Sequence, residues 1–90
     1  MAVKVKIPSQ LRAATGGEAE LSADGSTVGE VLDAVFADHA DLQERITDGG
    51  ELRRFVNVYV GGEDIRYGDG LGTTVDDGNE ITILPAVAGG

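Results

Sequence analysis

Thr27-Val28-Gly29-Glu30-Val31-Leu32-Asp33-Ala34-Val35-Phe36 is the stretch whose reading decides the fold. A threonine followed three residues later by glutamate has the form of a capping box. The hydroxyl accepts from the backbone of the third helical residue, and Glu30 reaches back toward the start. Val28, Val31, Leu32, Val35 and Phe36 then recur with helical spacing as one apolar stripe, while Glu30, Asp33 and Asp38 lie off it. Such a stripe must cover a sheet. His39 continues it near the helix C-terminus, where a cation is favoured, and reads as a helix-end residue and not as a catalyst. Residues 41–46 add a short helical turn, and 47–50 form a loop.

On the N-terminal side, Val3, Val5 and Ile7 alternate with Lys4 and Lys6, giving a half-buried strand that Pro8 ends. After a polar stretch containing Gly16-Gly17, residues 18–22 alternate again and can pair with the first strand as a loose antiparallel hairpin. On the C-terminal side, Arg53-Arg54-Phe55-Val56-Asn57-Val58-Tyr59-Val60 is the strongest strand, β-branched and aromatic, stopped by Gly61-Gly62. Alternation puts Val56, Val58 and Val60 on one face and Phe55, Asn57 and Tyr59 on the other. The valine face suits the helix stripe, so Phe55 and Tyr59 are expected toward solvent with Leu84, an exposed apolar patch that marks a docking surface. The alternative is that the aromatics face inward or cover the sheet edge.

Residues 63–66 can make a further short strand. The segment Gly68-Asp69-Gly70-Leu71-Gly72 is not a dinucleotide fingerprint, because Thr73 stands where a glycine is required and no long helix follows. Residues 76–79 form a turn that lacks the alternating ligands and distant glutamate of a calcium loop. A final strand, 80–84, precedes Pro85, which cannot donate to a ladder. Strand, strand, capped helix, strong strand, short strand, strand describes an α+β fold. It is a mixed sheet of four to five strands packed on one main helix, with the first and last strands adjacent and parallel in its middle, the β-grasp arrangement of ubiquitin-like proteins.

This reading divides the chain into a domain, 1–85, and a flexible C-terminal tail, 86–90. Ala86, Val87, Ala88 and Gly89 are small, and the closing Gly-Gly carries no Cβ. Another protein's active site can therefore close around the backbone and reach the carboxylate of Gly90, the candidate reactive group. The alternative is that this end is small and functionless, as termini often are.

Ninety residues suffice for one modest core. With 41% hydrophobic and 26% charged residues the composition is that of a soluble globular domain. Sixteen acidic residues against 7 basic give a net charge of −9, which argues against a nucleic-acid partner and favours association with basic protein surfaces. The chain has no cysteine and one histidine, so a disulfide framework and a thiolate metal site are excluded and no catalytic nucleophile and base pair up. No metal site and no catalytic residue is expected. The alternating N-terminus lacks the apolar core of a signal peptide and no run is long enough to span a membrane, so a cytoplasmic location without membrane contact is expected.

Phe55-Val56-Asn57-Val58-Tyr59-Val60, the turn at Asp77-Gly78 and the end Ile83-Leu84-Pro85-Ala86-Val87-Ala88-Gly89-Gly90 together resemble the bacterial sulfur-carrier family that contains ThiS and MoaD. The likeness extends to Ile7-Pro8 and Glu63-Asp64-Ile65-Arg66, and is greatest to the branch that serves cysteine synthesis in actinobacteria. It implies that Gly90 is adenylated by an E1-like sulfurtransferase of the ThiF/MoeB type, since a free carboxylate is a poor electrophile. ATP and Mg²⁺ belong to that partner, and this chain binds no cofactor. A sulfur donor then displaces AMP and leaves a thiocarboxylate. Ala86, Val87, Ala88 and Gly89 would thread into the partner, with Phe55, Tyr59 and Leu84 as the docking surface. The branch further implies a pyridoxal-phosphate-dependent cysteine synthase as acceptor and a JAMM-type metallopeptidase that frees the product. Related carriers supply sulfur for molybdopterin, thiamin and secondary metabolites, and ubiquitin-like protein modifiers share the chemistry as far as the adenylate.

Overall fold

In the computed structural model, which describes residues 2–49, 51–53 and 56–85, the capped segment is helix α1, Val28–Asp38. Glu30 N–H donates to Thr27 Oγ1 at 3.2 Å, as the capping box requires. The return bond goes one residue further back than expected, with Ser26 N–H donating to Glu30 Oε1 at 2.8 Å. All five residues of the stripe, Val28, Val31, Leu32, Val35 and Phe36, are buried. His39 ends α1 by donating its N–H to Val35 O and Phe36 O, and its own carbonyl accepts from Leu42 and Gln43. It thereby opens α2, Ala40–Ile46, whose Leu42 and Ile46 join the core.

The strands are β1 (Ala2–Lys6), β2 (Glu20–Asp24), β3 (Thr47–Asp48), β4 (Glu51–Leu52), β5 (Val56–Val60), β6 (Glu63–Asp64) and β7 (Glu80–Pro85). Among the described residues the main sheet has five strands in the order β2-β1-β7-β5-β6, and β3 pairs only with β4. β1 and β7 are the parallel pair, with Lys4 opposite Glu80 and Lys6 opposite Thr82. The turn before β7 secures this pairing. Ala2 N–H donates to Asp77 Oδ1, Lys4 N–H to Asn79 O, and Gly78, at φ +89°, supplies the left-handed backbone that the turn needs. Val3, Val5, Val56, Val58, Ile81 and Ile83 form the inner face against α1. Each fully buried side chain of this kind contributes about 1.5–3 kcal/mol relative to exposure.

Several elements differ from the expectation. The polar stretch after Pro8 is a 3₁₀ helix, Ser9–Thr15, that buries Leu11, Ala14 and Thr15. Thr15 Oγ1 donates to the carbonyl of Glu18 or Arg12, and Glu18 N–H to Thr15 O, so Glu18 belongs to a turn and the second strand begins at Glu20. Residues 47–52 are not a plain loop. Thr47 faces Leu52 and Asp48 faces Glu51, around Gly49 at φ +64°. Of the strand expected over 53–60, the described part is β5, Val56–Val60, and Arg53 is not in it. Arg53 N–H donates to Ile46 O and its carbonyl accepts from Val56 N–H, which makes it a turn residue, while Arg54 and Phe55 lie outside the described residues. After β6, Asp64 Oδ1 accepts from Arg66 N–H at 2.8 Å, and this side-chain turn converts the expected strand 63–66 into a 3₁₀ turn, Ile65–Tyr67.

The glycine-rich segment has a packing role. Val28 N–H donates to Thr73 O and Val75 N–H to Ser26 O, which ties residues 73–75 to the start of α1. The second 3₁₀ turn, Gly70–Gly72, brings Leu71 against Gly29, where a Cβ would stand 3.1 Å from Leu71 O.

Candidate functional site

β7 ends at Pro85, next to the residues expected to carry the chemistry, and its outer face holds the expected docking residue Leu84. Residues opposite one another in neighbouring strands share a face. The outer face accordingly carries one row Glu20, Lys6, Thr82, Tyr59 and Asp64, running across all five strands. The neighbouring row toward the end of β7 has Asn57 opposite Leu84. Tyr59 and Leu84 therefore lie on one face, the face away from α1. Leu84 is 45% exposed. Tyr59 is half-buried and not fully open to solvent, and Val60, expected in the core with Val56 and Val58, is only partly buried. Phe55, the third residue of the expected patch, lies outside the described residues, as do Ala86, Val87, Ala88, Gly89 and Gly90 and with them the expected flexible tail.

Charge on this face is locally compensated. Lys6 Nζ lies 3.5 Å from Glu80 Oε1 and Lys4 Nζ 3.9 Å from Glu20 Oε1, both pairs well exposed. Exposed pairs of this sort contribute about 0–1 kcal/mol, so they order the surface more than they stabilise the fold.

Two neighbours of this face escaped the sequence reading. Arg66, exposed on the 3₁₀ turn after β6, donates from Nη2 to Val56 O at 2.6 Å and to Arg53 O at 3.2 Å, and from Nη1 to Asn57 Oδ1 at 3.1 Å. Tyr67, next in the chain, is 93% exposed and lines a surface recess of about 780 Å³ with Tyr59, Val60, Glu63, Asp64 and Thr73. The recess lies toward the Val60 end of β5, whereas Pro85 stands opposite Val56 at the other. The sequence signal for both was the run Glu63-Asp64-Ile65-Arg66-Tyr67, in which an aspartate two residues before an arginine can form a side-chain turn. Among the described residues no group of three His, Asp or Glu side chains is placed to hold a metal ion. No helix among them is long and apolar enough to cross a membrane.

A mixed sheet with its first and last strands parallel at the centre, packed on a capped helix, with the C-terminal strand running out at one end, defines a β-grasp protein of the ubiquitin-like class. The chain belongs to the ThiS family, whose pattern matches residues 5–90. It is 48% identical over 93 aligned positions to the sulfur carrier protein CysO of Mycobacterium tuberculosis, with both chains covered in full. It superposes with a TM-score of 0.91 on a chain of the crystal structure of the Amycolatopsis orientalis BexX/CysO complex, at 50% identity over 98% of this chain and 99% of that one. It is also 39% identical over 67 residues to small archaeal modifier protein 3 of Haloferax volcanii, covering 74% of this chain and 73% of the relative. The chain is thus kin to sulfur carriers and to ubiquitin-like modifiers, and one relative of high similarity is held in a complex with another protein.

Proposed function

We propose that the chain is a sulfur carrier and that Gly90 is its reactive group. The observation that carries this reading is the full-length likeness to CysO, over a fold whose central strand leads directly to residues 86–90. In the first step a carboxylate oxygen of Gly90 attacks the α-phosphorus of ATP and pyrophosphate leaves. Sulfide then attacks the acyl carbon and AMP leaves with the bonding pair. A persulfide donor instead gives an acyl disulfide, from which a second thiol frees the thiocarboxylate by attacking the donor's own sulfur and forming a disulfide with it. The product is a thiocarboxylate, whose sulfur is nucleophilic near neutral pH. An E1-like enzyme of the ThiF/MoeB type supplies the ATP site and Mg²⁺, and this chain supplies no catalytic residue and no cofactor site.

Docking is assigned to Leu84 and Tyr59 on the outer face together with Phe55, and threading into the partner to Ala86, Val87, Ala88 and Gly89. Residues 1–85 serve as the handle. The acceptor is a pyridoxal-phosphate-dependent cysteine synthase, with a JAMM-type metallopeptidase releasing the product, and the setting is the cytoplasm. Likeness to CysO favours the cysteine route over thiamin, molybdopterin or a secondary metabolite. A net charge of −9 fits protein partners with basic surfaces better than nucleic acid.

The second reading, a protein modifier joined through Gly90 to lysines of other proteins, is favoured by the likeness to small archaeal modifier protein 3. Intact-mass measurement on protein isolated from its own cells separates the two. A mass increase equal to one sulfur replacing one oxygen at the terminus supports the carrier. Isopeptide-linked conjugates without that species would support the modifier and remove the carrier.

A further inference from the structure

β6 is too short to cover the whole of β5. It pairs with Tyr59 and Val60, and among the described residues no strand lies beside the edge at Val56 and Asn57. Arg66 occupies that place. Val56 N–H donates to Arg53 O at 3.0 Å and Val56 O accepts from Arg66 Nη2 at 2.6 Å, so both main-chain groups of Val56 point away from β7. Pro85, opposite Val56, has no N–H to offer in any case. Bonded and non-bonded pairs alternate along an antiparallel ladder. The last bonds between β5 and β7 among the described residues therefore fall to Asn57 and Leu84. Asn57 is also the residue whose side-chain oxygen accepts from Arg66 Nη1 at 3.1 Å. A single guanidinium thus grips β5 at the point where β7 makes its final bonds, and Asp64, by accepting from Arg66 N–H, sets the turn from which the side chain reaches back.

We propose that Arg66 is a positioning residue for the C-terminal acyl group: by clamping Val56 and Asn57 it fixes the end of β7 from which residues 86–90 continue, and so sets how Gly90 is presented to an activating enzyme. The inference rests on the reading of the chain as a sulfur carrier. Its physical content is that a partner binds only those copies whose β7 end is in register, so loosening the clamp lowers the competent fraction. Apparent affinity falls by that fraction while the chemistry of a bound copy is untouched. Arginine is required because two nitrogens of one planar fork serve three acceptors, which a lysine ammonium, a single point charge on a shorter stem, does not reproduce.

The test uses the full chain in Arg66→Lys, Asn57→Ala and the double variant, with two readouts. One is amide hydrogen exchange at Leu84. The other is the steady-state rate of Gly90 adenylation by a ThiF/MoeB-type enzyme, followed as pyrophosphate release. Expected for Arg66→Lys are faster exchange at Leu84 and a KM for the carrier raised about three- to tenfold with kcat unchanged, as a reduced competent fraction dictates. Asn57→Ala should shift both readouts in the same direction, and the double variant should be no worse than the more affected single one, because coupled residues are not additive. Rescue by lysine, with wild-type KM and exchange, would overturn the proposal, as would fully additive effects. If Arg66→Lys is unfolded at the assay temperature, Asn57→Ala decides alone through the same readouts. Failure of the unaltered chain to be adenylated would instead remove the sulfur-carrier reading, and the exchange measurement would still decide whether Arg66 holds the end of β7.

Discussion

Gly25 has no room for a methyl group. A Cβ built on it would lie 2.8 Å from both Val31 Cγ2 and Val31 N and 3.0 Å from Glu30 Cβ, all in the first turns of α1. Backbone cannot yield as a flexible side chain can, so Gly25→Ala should destabilise the domain by about 1–3 kcal/mol, the usual cost of overpacking. Chemical denaturation with an unchanged m-value would confirm it, and a variant as stable as the parent would show that the chain entering α1 shifts freely. Two residues on, Thr27→Ala should cost about 1 kcal/mol by removing the acceptor for Glu30 N–H. These neighbours differ in legibility. The cap is local chemistry between residues three apart, visible in the sequence as threonine and glutamate. The need for glycine at 25 arises from the angle at which β2 hands over to α1, which no spacing records. Arg66 was hidden for the same reason, since its acceptors lie as far back as Arg53.

Elements were legible where their period was. The stripe of α1 and the alternation of β1 and β7 resolve into an inner and an outer face as the residues imply, and so does β5 at Val56 and Val58, while Val60 is only partly buried. The 3₁₀ helix Ser9–Thr15 was missed because it repeats every three residues and its apolar marks are one leucine, Leu11, and the adjacent alanines Ala13 and Ala14. β7 gives the sharpest test of a face assignment, since adjacent residues have opposite roles. Ile83 is fully buried, and Ile83→Ala should cost about 2–5 kcal/mol in thermal or denaturant unfolding. Leu84, 45% exposed, should cost well under about 1 kcal/mol on truncation to alanine, as surface positions do. Its loss should instead raise the carrier concentration needed for half-maximal adenylation. Equal destabilisation by the two variants would mean that the outer face is covered and not a docking surface.

At the scale of the molecule, the proposed function assigns the fold and the chemistry to different residues. Among the described residues, every member of the buried core lies between Val3 and Ile83, and the residues assigned to carry sulfur follow them in the chain. The sequence singles out those last residues because a glycine pair after proline and small residues suits enclosure by another protein's site. Their partner was not, since it depends on a surface belonging to a different chain. Two consequences follow from the proposed division and from the net charge of −9. Association with an activating enzyme should slow as ionic strength rises while dissociation changes little, as expected for steering by net charge, and stopped-flow measurement at several salt concentrations reads this directly. Deleting Gly89 and Gly90 should leave unfolding stability within about 0.5 kcal/mol of the parent, as the proposed division at Pro85 requires. The same deletion should abolish adenylation and thiocarboxylate formation, because the glycine carboxylate that the partner must enclose is replaced by that of Ala88. Denaturation and intact-mass measurements on one preparation check both halves. Full stability with full sulfur loading would place the reactive group elsewhere, and lost stability would mean that the tail is part of the fold, against the division at Pro85.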